Sequence, residues 1–159
     1  MSWLKHRKGF SLVELVVVIV IIGILAAVAI PRLSRGAAGA TSSNVISNLT
    51  IVRNAINLYH AEHNSTFPSA DIVNQMTKYS DAGGAVNAAR TDVFKYGPYL
   101  AAIPKCPVGN IGKDTVLIDA ANSPPVPAGN DGWVYNPNTG EFLVNSTAKD
   151  DTGKQYNTY

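Results

Sequence analysis

A second cysteine is missing. Cys106 is alone among 159 residues, so no internal disulfide can form and the usual staple of a small exported domain is absent. Stability must come from packing, turns or a bound ion. A free thiol in an exported chain could bridge two copies, but free cysteine more often serves as a small buried apolar residue, and that is the role expected of Cys106.

Charge is scarce as well, at 15% of the chain. The net charge is +2, yet Lys5, Arg7 and Lys8 supply three of the thirteen basic residues, and from Phe10 onward ten remain against eleven acidic ones, a balance of −1. The later lysines and arginines are scattered among acids, which leaves no basic stripe for nucleic acid. Catalytic signatures are lacking too: there is no serine elbow, no metal-ligand run and no phosphate loop. The expectation is a chain that is not an enzyme, with no catalytic residues and no required cofactor.

What the sequence has is one long apolar run. From Leu15 to Ile30 no residue is charged, and the 21 residues Phe10 to Ile30 would rise about 31 Å as a helix, against a hydrocarbon core of about 30 Å. That length favours a membrane span over a core helix. A cleaved secretory signal would need an apolar stretch of about 7 to 15 residues before its small-x-small site, and the run before "AVA" (Ala27 to Ala29) is longer than that. Lys5, Arg7 and Lys8 place the N-terminus in the cytoplasm and the residues after Pro31 outside it.

The run is more than an anchor. Gly23 and Ala27 form a small-xxx-small pair that lets another helix approach. Pro31 removes a backbone donor, and Gly36 and Gly39 weaken the following turns, so the helix is expected to bend or loosen from about Ala27 to Gly39. Periodicity then resumes: Val45, Leu49, Val52, Ile56 and Tyr59 form an apolar stripe. One helix is predicted from about Phe10 to His63, its first half in lipid and its second half covering a domain. His60 and His63, at i and i+3, read as solvated residues at the helix C-terminus, where the dipole favours them, in preference to a metal pair.

"KGFSLVELVVVIVIIGILAAVAIPRL" (Lys8 to Leu33) closely resembles the N-terminus of type IV prepilins and of the pseudopilins of type II secretion systems. Gly9, Phe10, Glu14 and Pro31 match that signature residue by residue. The resemblance implies cleavage between Gly9 and Phe10 by a prepilin peptidase, N-methylation of Phe10, and assembly with other pilin-like subunits on an inner-membrane platform driven by an ATPase. It also implies that Glu14 meets the N-terminal amine of a neighbouring subunit. A carboxylate in mid-membrane costs roughly 2.5 to 3.5 kcal/mol and normally has a partner.

The remaining sequence predicts a small outer domain. "HNSTFPSADIVNQMTKY" (His63 to Tyr79) reads as a turn followed by a short helix capped by Ser69, with Ile72, Met76 and Tyr79 on one face. One or two helical turns are expected in Ala85 to Phe94. Three prolines make Gly97 to Asn110 an irregular connection. "TVLIDA" (Thr115 to Ala120), "GWVYN" (Gly132 to Asn136) and "EFLVN" (Glu141 to Asn145) read as strands, the last two forming a hairpin over "PNTG". The predicted fold is α+β: a long N-terminal helix packed on a small C-terminal antiparallel sheet. Its segments are a basic leader (1–9), a transmembrane and polymer-core helix (10–35), an amphipathic continuation (36–63), a globular periplasmic domain (64–145) and a polar tail (146–159), flexible or lightly docked.

"GPYL" (Gly97 to Leu100) and the hairpin from Gly132 to Glu141 resemble the outer domain of major pseudopilins, which implies a possible calcium ion near the C-terminal sheet. Asp114, Asp119, Asn130 and Asp131 supply suitable oxygens. Their spacing is not that of a dense calcium loop, and ordinary turn-forming aspartates are the alternative. Many type IVa pilins close a C-terminal loop with two cysteines, a feature this chain lacks. The function implied is that of a pseudopilin subunit of a periplasmic filament, with a surface pilin for adhesion, motility or DNA uptake as the alternative.

Overall fold

The computed structural model describes residues 9–159; the basic leader before Gly9 lies outside them. The chain divides into two units, Met1–Ala37 and Ala38–Tyr159. Helix α1, Leu12–Glu62, contributes to both.

Within the first unit the apolar segment Leu12–Ile30, 19 residues long, has none of its residues buried. At 1.5 Å per residue it is about 28 Å in length. Among the described residues, none buries these apolar side chains, the opposite of a soluble core helix. The expected loosening from Ala27 to Gly39 is not seen in the secondary structure, because α1 continues through Pro31, Gly36 and Gly39. A proline removes one ladder bond, and the surrounding alanines, the best helix formers, carry the helix past it.

In the second unit α1 does what its periodicity predicts. Val45, Leu49, Val52, Ile56 and Tyr59 are all buried, and they pack with Ile72, Met76, Ile103, Cys106, Trp133, Tyr135, Phe142 and Val144 in one core. Each large side chain withdrawn from water contributes about 1.5–3 kcal/mol before entropy is subtracted. Cys106 is buried as expected; its thiol donates to the Val108 carbonyl, and burial pushes its pKa up.

Helix α2, Ile72–Thr77, buries Ile72 and Met76 against this core. Its cap differs from expectation. Asp71 occupies the N-cap without a side-chain cap bond, while the Ser69 hydroxyl and amide both donate to the Gln75 Oε1. Tyr79 also leaves the helix face and begins β1, Tyr79–Ser80, which pairs antiparallel with β2, Val86–Asn87. No helical turn forms in Ala85 to Phe94. Asp81 accepts from the amides of Gly83 and Ala85, Asn87 from Ala89 and the Thr91 hydroxyl from Phe94. Such local side-chain bonds compete with helix formation.

The main sheet has strand order β3-β4-β5, with β3 Val116–Ile118, β4 Trp133–Tyr135 and β5 Phe142–Val144. β4 and β5 form the expected hairpin, in register Trp133↔Val144 and Tyr135↔Phe142. β3 pairs with β4 in parallel, so the sheet is mixed and not wholly antiparallel. Parallel pairing requires a crossover of roughly a dozen residues or more, and the proline-rich stretch from Asp119 to Gly132 supplies it. Gly140, at φ 74° in the hairpin turn, has no room for a side chain because a Cβ would strike the Phe67 ring.

The polar tail is docked. Tyr156 is buried, its hydroxyl lies 3.2 Å from the Ser42 hydroxyl, and Arg53 donates to the Phe142 carbonyl at 3.0 Å and to the Tyr159 carbonyl at 2.7 Å. The Tyr159 hydroxyl donates to Asp150 and holds that carboxylate well below its usual range.

Candidate functional site

Gly9, Phe10 and Ser11 have irregular backbone and precede α1; Gly9 and Phe10 are exposed, Phe10 by 84%. Leu15 then donates to the Ser11 carbonyl at 3.2 Å, the first helical bond, which makes Ser11 the N-cap.

The Glu14 carboxylate turns back over this end and accepts the Ser11 backbone N–H at 2.9 Å. A glutamate three residues into the helix, bonded to the N-cap amide, is one half of a capping box. It answers an orphan donor and sits at the positive end of the helix dipole. The sequence reading missed Ser11, although its S-x-x-E spacing before an apolar run ("SLVE", Ser11 to Glu14) was a legible signal. Glu14 thus has a partner within its own chain, though one bond leaves most of a carboxylate's acceptor capacity free.

Further along α1, a Cβ at Gly23 would meet nothing within 4 Å, and Ala27 is exposed. The small-residue face is open. Pro31 falls within the same helix.

The histidines do not make a metal pair, nor are both solvated. His63 is buried and stacks on Tyr59 at 3.7 Å. Its Nδ1 lies 2.9 Å from the Tyr59 carbonyl and its Nε2 lies 3.1 Å from the Ser80 hydroxyl. The carbonyl can only accept, so Nδ1 donates to it, and Nε2 shares a hydrogen bond with the Ser80 hydroxyl. His60 stacks on Phe67 at 4.2 Å. His63 is held in the core, while His60 is half-buried against Phe67.

Asp114, Asp119 and Asp131 do not assemble a cage either. Among the described residues no three of His, Cys, Asp or Glu are grouped to hold a metal ion. Asp119 is surrounded by donors: Val126 N–H at 2.8 Å, the Asn122 side-chain amide at 2.9 Å and Ala121 N–H at 3.1 Å. These bonds, that from Val126 foremost, hold its pKa below the usual carboxylate range. Calcium takes six to eight oxygens, backbone carbonyls among them, and the Asp119 oxygens are already engaged by N–H donors.

Among the described residues there is one helical segment long and apolar enough to cross a membrane, unburied, with a carboxylate at its cap and an exposed glycine–phenylalanine junction before it, which is consistent with single-pass membrane anchoring. Residues 4–30 match the family model described as the prokaryotic N-terminal methylation motif. That motif indicates a type IV pilin-like prepilin, which implies processing by prepilin peptidase and pilin-like polymerisation. No curated protein and no solved structure matches the chain.

Proposed function

We propose that this chain is the structural subunit of a type IV pilus-like filament, and specifically a type II secretion pseudopilin. Prepilin peptidase cuts between Gly9 and Phe10 and methylates the new amine of Phe10. The subunit waits in the inner membrane with its outer domain in the periplasm, then joins other pilin-like subunits on an assembly platform powered by a cytoplasmic ATPase. The growing filament drives export.

The observation that carries this reading is the methylation motif over residues 4–30, which includes the apolar segment Leu12–Ile30 with no buried residue. Such a helix requires lipid before assembly and neighbouring helices after it. The Glu14 carboxylate then exchanges the water lost at the membrane for the amine of Phe10 on a neighbour, with Gly23, Ala27 and Pro31 shaping the contact face. The lone buried Cys106 supports the pseudopilin over disulfide-closed surface pilins. Deleting the gene in its host is expected to strand exported proteins in the periplasm while surface filaments remain. Loss of surface filaments with intact secretion would contradict the assignment and point to a surface pilin.

A further inference from the structure

The β3–β4 crossover is an irregular loop without a cation cage, and its own side chains show how it is held. Asn136 and Asn145 are only 2% and 4% exposed, an unusual place for asparagine unless its polar groups are satisfied. Each directly follows the last residue of a strand, Asn136 after β4 and Asn145 after β5. Because these strands are antiparallel, the two amides stand at opposite ends of the hairpin.

The loop has to travel between those same ends. It leaves β3 beside Tyr135, where the Asp119 amide donates to the Tyr135 carbonyl at 2.9 Å, and returns at Gly132, whose carbonyl accepts from Asn145 N–H at 3.1 Å. Near the departure, the Asn136 side-chain amide donates to the Asn122 carbonyl at 2.6 Å, and Asn138 donates to Ala120 at 3.0 Å. Near the return, Asn145 donates to the carbonyls of Ala128 at 2.7 Å and Asp131 at 2.9 Å, and its Oδ1 accepts the Ala128 N–H at 2.8 Å. Between them the Asp119 carboxylate collects the amides of Ala121, Asn122 and Val126.

The carbonyls of Ala120, Asn122, Ala128 and Asp131 thus each receive an N–H, as does Asp119. A donor hydrogen occupies one lone pair of each of these oxygens and opposes a cation approaching on the same side. We propose that the side-chain amides of Asn136 and Asn145, together with the Asp119 carboxylate, take the place of a structural cation in fixing the crossover, so that folding of the outer domain is independent of calcium.

The test uses the full chain purified in detergent, followed by near-ultraviolet circular dichroism during heating, after treatment with a chelator and again with millimolar calcium. The expected result is one melting midpoint under both conditions. Asn145→Ala lowers it by about 5 °C irrespective of calcium, from the loss of its side-chain bonds to the loop. Asn136→Asp and Asn145→Asp keep the side-chain volume but replace the donated bonds with a buried carboxylate facing carbonyl oxygens, and both melt below the unsubstituted chain. A midpoint that rises by several degrees with calcium in the unsubstituted chain would overturn the proposal, as would asparagine variants that melt like it.

Discussion

Glu14 is where a single side chain bears on the whole mechanism. A carboxylate among apolar residues is stabilised only by groups that reach it, and here the Ser11 N–H does so at 2.9 Å. That one bond keeps the helix end capped without consuming the charge. Pairing with an amine is worth far more at low dielectric, because both partners are ionised. Glu14→Ala is therefore expected to insert and be cleaved normally but to give few cross-linked oligomers in membranes. Glu14→Gln keeps an acceptor for Ser11 without the charge. Helix capping alone would leave Glu14→Gln assembling like the unsubstituted chain; amine pairing predicts that it fails like Glu14→Ala.

The elements differ in how openly the sequence declares them. The α1 stripe Val45, Leu49, Val52, Ile56 and Tyr59 could be read directly, because 3.6-residue periodicity over many turns has few other causes, and all five side chains are buried. Leu49→Ala should accordingly destabilise the outer domain by about 3 kcal/mol in denaturant titration, since it leaves a cavity among fixed neighbours; a loss well under 1 kcal/mol would show that the stripe does not carry the core. The hairpin β4–β5 was legible from its turn. The parallel partner β3 was not, because short strands state no direction and only the length of the Asp119 to Gly132 crossover hints at it. Local side-chain bonds were equally hidden: Asp81, Asn87 and Thr91 turn a segment of helical composition into a hairpin and bends. At the candidate site, the glycine, phenylalanine and glutamate stood out in the sequence, while the burial of His63 depends on Tyr59 one turn before it and also on Ser80, which no local pattern connects to it.

Across the whole molecule, two kinds of surface coexist in one chain. The Ala38–Tyr159 unit has its own core and a docked tail, whereas the apolar segment Leu12–Ile30 is not buried by any of the described residues. In the proposed function this unburied helix serves first in lipid and then among copies, and a cut after Gly9 supplies the amine for assembly. The most direct test of that account is the intact mass and N-terminal peptide of the chain recovered from membranes containing prepilin peptidase. The prediction is a chain beginning at methylated Phe10, and an unprocessed precursor for Gly9→Ala. An unsubstituted chain that keeps its leader, or a Gly9→Ala chain that still begins at Phe10, would contradict it.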